Sequence, residues 1–201
     1  MYSKAEGGNA NRSEASLSNA FECFSAAAAR GSPAGWCNIG LMYEFGLGVG
    51  RDTLMAITCY ENGAEADNIK AMTSLGRLLL QKSNLDRSSN TSPTADTLEG
   101  YKKALYWLRK AAERNDANAA YELGLCYYKG VGSCNHCIVP VDYAGALAHF
   151  KHAVHLTKSS KEWPLSGAAL MVADLLYSGK KGAISPDKAG AGYFYEVSYF
   201  F

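Results

Sequence analysis

The most reactive stretch of the sequence is Cys134-Asn135-His136-Cys137. Two thiols at this spacing can hold one edge of a tetrahedral zinc ion or close as a redox pair. Zinc needs four ligands, and the loop supplies two; Cys126 before it and His149 after it are the side chains that could complete a site. There is no second C-x-x-C. The reading taken is therefore an inert loop with no cofactor, with metal at Cys134 and Cys137 or a disulfide as the alternatives. His149, His152 and His155 step by three along one helical pattern, so successive pairs can share a side. His149 falls in the register of Trp107 and Phe194 and is expected to pack. His152 and His155 align with Lys110 and Glu113 on a solvated face. Lys102, Lys103, Arg109, Lys110 and Arg114 alternate with apolar residues and read as another solvated face. The glycines of 46–50 follow a helical pattern rather than a strand, which sets them apart from a phosphate-cradling loop. No Ser/His/Asp arrangement and no H-E-x-x-H motif is present, and the chain reads as a non-enzyme.

The elements that carry these residues follow from composition and periodicity. Of 201 residues, 48% are hydrophobic, enough for a packed core. Lys and Arg number 20 against 19 Asp and Glu, a net charge of +1. That balance gives no reason to expect nucleic acid or an anionic membrane as partner. No apolar run approaches the roughly 18 residues of a membrane span. The stretch Met1–Asn19 lacks the basic flank and apolar core of a secretory signal. Glu6 and Glu14 argue against an organelle-targeting helix. An intracellular, cytoplasmic location is the default expectation, with an organelle such as the mitochondrion left open. Without a signal, the cysteines are expected to stay reduced, with Cys23, Cys37 and Cys59 as small buried hydrophobes.

Internal repetition dominates the sequence. Gly35-Trp36-Cys37-Asn38-Ile39-Gly40 is echoed by Ala71 to Gly76, by Ala119 to Gly124 and by Ala169 to Asp174, with Asp174 in place of the fourth Gly. Each copy precedes a second helical pattern with steps of four. These run Ala56, Tyr60, Ala64; Ala104, Leu108, Ala112; Ala146, Phe150, Val154; and Ala191, Tyr195, Tyr199. A headless copy, Ala20, Phe24 and Ala28, opens the array. Asp52, Asp142 and Asp187 stand where a helix wants an N-cap, and Gly46, Gly130 and Gly179 where the preceding helix should stop. Small residues at Ala71, Gly76, Ala119 and Gly124 let backbones approach, and Tyr43, Trp107, Tyr127, Phe150 and Tyr195 are expected to fill the gaps. The expected organisation is a flexible segment over 1–14 followed by one repeat domain over 15–201. Loop insertions fall near 83–97 and 131–141, and an apolar aromatic cluster from Tyr193 to Phe201 ends the chain.

Lys103 to Ala112, Ala119 to Gly124 and Tyr127-Tyr128-Lys129-Gly130 resemble the Sel-1-like repeat, a branch of the tetratricopeptide superfamily. So does Tyr43 to Val49 with Asp52 and Ala56. The resemblance implies an all-α, right-handed α–α superhelical solenoid of about four to five helix–turn–helix repeats. It also implies that first helices line a concave protein-binding groove. Carried over position by position, that groove comprises Cys37, Leu41, Glu44 and Phe45, then Thr73, Arg77, Leu80 and Gln81. The third repeat contributes Tyr121, Leu125, Tyr128 and Lys129, and the fourth Met171 and Leu175. The function implied is a scaffold or adaptor for other proteins, bound through this face, the inserted loops or the aromatic end. The alternative is a permanently integrated structural subunit of a large assembly.

Overall fold

The computed structural model describes residues 6–87, 94–133, 136–157, 163–180 and 183–200. Among these, the elements are α1 (Glu6–Ala29), α2 (Pro33–Phe45), α3 (Thr53–Glu65), α4 (Ile69–Arg87), α5 (Ala95–Glu113) and α6 (Ala117–Lys129). A hairpin of β1 (Val131–Ser133) and β2 (His136–Val139) follows, then α7 (Tyr143–Leu156), α8 (Trp163–Ser178) and α9 (Lys188–Phe200). The fold is thus an all-helical repeat with a small hairpin. α2 with α3, α4 with α5, α6 with α7 and α8 with α9 are the four expected pairs, and α1 is the headless copy. α1 is already formed from Glu6, within the 1–14 stretch expected to be a flexible lead.

Two turn types alternate, and among the described residues three turns of each type close by the same bonds. After the second helix of a pair, one residue adopts positive φ: Gly31 at 84°, Asp67 at 69° and Asn115 at 62°. The next amide then reaches back to a helix carbonyl, Ser32 to Ala27, Asn68 to Gly63 and Asp116 to Ala111. These are the wrapped bonds of a Schellman motif. Ser32, Asn68 and Asp116 also cap the next helix, their side chains accepting from the amides of Gly35, Ala71 and Ala119. After the first helix of a pair, Gly46, Gly130 and Gly179 take positive φ as expected. The amides of Asp52, Asp142 and Asp187 donate back to the carbonyls of Tyr43, Tyr127 and Leu176, at 2.9, 2.9 and 2.8 Å. Their carboxylates cap the second helix by accepting from first-turn amides.

The described residues of both insertions hold secondary structure. β1 pairs antiparallel with β2, Val131 opposite Val139 and Gly132 opposite Cys137. Val131 and Val139 are buried, and the hairpin lies against α5. Strands of three and four residues are too short to show alternation in the sequence. The other insertion narrows from both sides, because α4 runs on to Arg87 and α5 starts at Ala95 with Thr94 as its cap. Gly100 lies inside α5, where Ser83 Oγ would stand 2.5 Å from any β-carbon.

The described chain forms two compact units, Met1–Leu75 and Gly76–Phe201. In the first, Ala28, Ile39 and Cys59 form a buried cluster walled by Phe21, Phe24, Trp36 and Tyr43. In the second, Ala146, Phe150, Ala153, Val172 and Leu175 centre a larger one. Phe150 is fully buried as expected, but Tyr43, Trp107, Tyr127 and Tyr195 are only half-buried. The other large fully buried side chains include Tyr60, Tyr101 and Leu108. Cys37 and Cys59 are buried, whereas Cys23 is exposed, against expectation. Tyr199, Phe200 and Phe201 belong to the expected aromatic end; Phe201 and the side chains of the other two lie outside the described residues.

A β-carbon on Gly124 would fall 2.5 Å from the Phe150 ring. Gly124→Ala is therefore expected to destabilise the protein by about 1–3 kcal/mol through overpacking. Gly50→Ala meets nothing within 4 Å and should leave the unfolding midpoint in urea close to wild type. Equal midpoints for the two variants would show that this contact yields easily.

Candidate protein-binding groove

The exit bonds define a common register for the first helices. Tyr43, Tyr127 and Leu176 accept the same bond, and they stand three residues after Gly40, Gly124 and Ala173. The terminating glycines 46, 130 and 179 agree, each six residues after the same positions. The fourth motif position is therefore Ala173, not Asp174, and the candidates drawn from that repeat shift by one. Met171 is half-buried against the second core, and Leu175 is 1% exposed within it. Their places pass to Leu170 (45% exposed) and Asp174, with Tyr177 (56% exposed) a turn further on. Asp174 accepts a hydrogen bond from the Tyr195 hydroxyl at 2.7 Å.

In the first unit the candidates divide. Cys37 and Thr73 are buried, Leu41 is half-buried, and Phe45 is 60% exposed. Glu44 is 7% exposed and accepts from the Tyr60 hydroxyl at 2.8 Å. Burial and this bond to a carboxylate both push the Tyr60 phenol well above its usual range. Glu44 is thus committed to the helix pair.

In the second unit, α4, α5 and α6 enclose an open pocket of about 480 Å3. It gathers five of the expected groove residues, Arg77, Leu80 and Gln81 from α4 with Leu125 and Lys129 from α6. Tyr121 and Tyr128 do not join them. Tyr121 is 9% exposed and its ring packs 5.7 Å from Phe150, while Tyr128 meets Tyr143 edge-on at 5.6 Å. The pocket adds residues that sequence reasoning missed. Tyr101 donates to Asn84 Oδ1 at 2.9 Å, and Glu122 and Cys126 also line the wall. Only the three-dimensional placement of α5 beside α4 could reveal Tyr101. Glu122 carried no signal, since an acid two residues before the motif Gly looks like any solvated helical Glu.

Electrostatics here are set by partial burial. Desolvation raises the Glu122 carboxyl above its ordinary value, while Arg77 and Lys129 pull it back down. The Cys126 thiol is pushed up to about 12 by burial first and by Glu122 second, against Lys129 and Arg109. It is therefore protonated at neutral pH and a poor nucleophile. Of the metal candidates, Cys134 lies outside the described residues and Cys137 is exposed. No group of three His, Cys, Asp or Glu among the described residues is placed to hold a metal ion. The pocket is suited to recognition, with an apolar floor of Leu80, Leu125 and Tyr101 beneath three charged groups.

Comparison with known proteins bears on this geometry. The Sel1 repeat model matches residues 6–32, 37–68, 97–116, 117–155 and 166–198, more than half of the chain. An uncharacterised protein of Neisseria meningitidis serogroup B is 32% identical over 103 residues, 51% of this chain and 18% of that protein. A Sel1 repeat protein from Oxalobacter formigenes superposes with a TM-score of 0.69 at 24% identity, covering 92% of this chain and 64% of that one. A protein described as a Sel1 repeat protein from Klebsiella pneumoniae subsp. pneumoniae gives 0.50 at 22% identity, covering 90% and 77%. The chain thus spans under a fifth of the Neisseria relative and under two thirds of the Oxalobacter protein.

The raised Glu122 pKa has a definite consequence for stability. The folded state holds this proton more tightly than the unfolded one, so folding loses stability as pH rises through the carboxyl range. Glu122→Gln should therefore melt higher than wild type near neutral pH and at the same temperature in acid, between about pH 3.5 and pH 7.5. A variant that melts lower at neutral pH would mean that attraction to Arg77 and Lys129 outweighs desolvation.

Proposed function

Since the chain belongs to the Sel1 repeat family, we propose that it is a non-catalytic scaffold or adaptor, mediating assembly of a multiprotein complex. Sel1 repeats mediate protein–protein interaction, and scaffolds of this family are typically non-catalytic. The observation that carries the reading is the convergence of Arg77, Leu80, Gln81, Leu125 and Lys129 on one open pocket of the second unit. These residues come from the first helices of two successive pairs; Leu80 is buried, and the other four are at least partly exposed. Half-buried Leu125 offers area to an apolar anchor above buried Leu80 and Tyr101, and Arg77 and Lys129 offer charge to carboxylates beside it. A helix or extended segment with an apolar residue flanked by Asp or Glu fits that pattern.

A second reading is a permanently built-in structural subunit. It is favoured by the exposure of Leu170, Tyr177 and Tyr193 on α8 and α9, apolar surface of a kind that a fixed neighbour would cover.

The test selects displayed peptides against the full chain, then measures their binding to Lys129→Glu, Arg77→Glu and a Lys103→Glu control on exposed α5. Binding, measured at a temperature where each variant is folded, should weaken about tenfold or more in the first two and hardly change in the control. Peptides that bind all four proteins equally would remove the groove reading. Peptides whose binding is lost instead in Tyr177→Ala and Tyr193→Ala would favour the structural-subunit reading.

A further inference from the structure

A second pocket of the Gly76–Phe201 unit lies between α5, α6 and α7, apart from the residues of the groove. It measures about 380 Å3. Arg109 and Glu113 reach it from α5, Leu123 and Tyr127 from α6, and His149 and His152 from α7. The Tyr127 and His149 rings stack at 5.1 Å with their planes 11° apart, which fixes the imidazole against the pocket wall. His149 and His152 are three residues apart and present their rings on one side of the helix.

The charges in this pocket are unbalanced in a way that an anion would correct. Burial holds the His149 imidazole below its ordinary pKa, and the positive charges of His152 and Arg109 hold it lower still. Three groups able to carry positive charge thus face a single carboxylate, Glu113; α6 contributes no charged side chain to the lining. The remaining wall is apolar, with Leu123 and the flat Tyr127–His149 stack. A small apolar cavity with a few convergent polar groups is the usual form of a small-molecule site.

We propose that this pocket binds a small organic anion. Its phosphate or carboxylate head would sit among Arg109, His149 and His152, and its flat apolar body against Leu123 and the Tyr127–His149 stack. The head accepts charge-assisted hydrogen bonds from the guanidinium and from protonated imidazoles. Binding is coupled to proton uptake, because the anion stabilises the charged form of His149, which burial and its cationic neighbours disfavour. Affinity therefore rises as pH falls through the imidazole range, and the Glu113 carboxylate opposes the ligand.

Phenyl phosphate, benzoate and inorganic phosphate, titrated separately into the full chain while the histidine ring signals are followed by NMR, provide the test. His149 and His152 should shift saturably with phenyl phosphate or benzoate, with the His149 pKa rising on binding. His155, on the same helix but outside the pocket, should not move. The better of the two aromatic probes identifies the head group, and inorganic phosphate should bind more weakly than phenyl phosphate. Affinity should increase about tenfold between about pH 8 and about pH 6. It should fall about tenfold or more in Arg109→Ala, whose side chain is exposed and whose melting should be unchanged, and increase in Glu113→Gln. Shifts that fail to saturate, or that move His155 equally, would overturn the site, as would undiminished binding by Arg109→Ala.

Discussion

Three of the four pairs depend on one steric constraint: the first helix must have no side chain where a large residue of the second helix presses against it. A β-carbon on Gly40 would stand 2.6 Å from the Tyr60 ring, one on Gly76 2.5 Å from Leu108, and one on Gly124 2.5 Å from Phe150. Tyr60, Leu108 and Phe150 are fully buried because the facing backbone makes room for them. Burying each such side chain contributes on the order of 1.5–3 kcal/mol. Helices of 13 residues such as α2, α3 and α6 are marginal by themselves. Their stability has to come from this pairing, so the glycine and its bulky partner act as one unit.

Given that contact, the turns need only return the chain to the correct register. The amide of Asp52, Asp142 or Asp187 reaches the same carbonyl of the preceding helix in each case, although the intervening loops differ in length. The entropic cost of a longer loop grows only slowly. The hairpin at 131–139 is therefore accommodated without disturbing the pair it interrupts: Asp142 still reaches Tyr127 and still caps α7. An Asp at this point satisfies orphan groups on two helices at once, which explains why it recurs where the surrounding loop does not.

This division explains what the sequence disclosed. The glycine and its bulky partner in the next helix are periodic and of distinctive type, so the helix pairs and caps at Asp52, Asp142 and Asp187 were legible. The caps at Ser32, Asn68 and Asp116 were not, because their signal is a positive-φ residue filled differently each time, by Gly, Asp or Asn. The fourth repeat was misread by one residue because Ala173 replaces the diagnostic Gly. The bond to Leu176 restores the register. Of the residues that the resemblance assigned to a groove, Arg77, Leu80, Gln81, Leu125 and Lys129 share one pocket, whereas Tyr121 and Leu175 pack into the core beside Phe150 and Val172, because burial depends on what the neighbouring helix presents.

The residue at the small-residue gap also bears on the acids of the facing helix. Where it carries a hydroxyl, it recruits an acid from the facing first helix. Tyr60 takes Glu44 and Tyr195 takes Asp174, in each case from a position that the resemblance, once in register, assigns to partner binding. Where it is Leu108 or Phe150, no hydroxyl is available, and the facing helices contribute Arg77, Leu80, Leu125 and Lys129 to an open pocket. One position of the second helix, fully buried at Tyr60 and half-buried at Tyr195, thus bears on whether an acid of the first helix is held in the structure. The two pairs that lack the hydroxyl are the two whose first helices line the pocket.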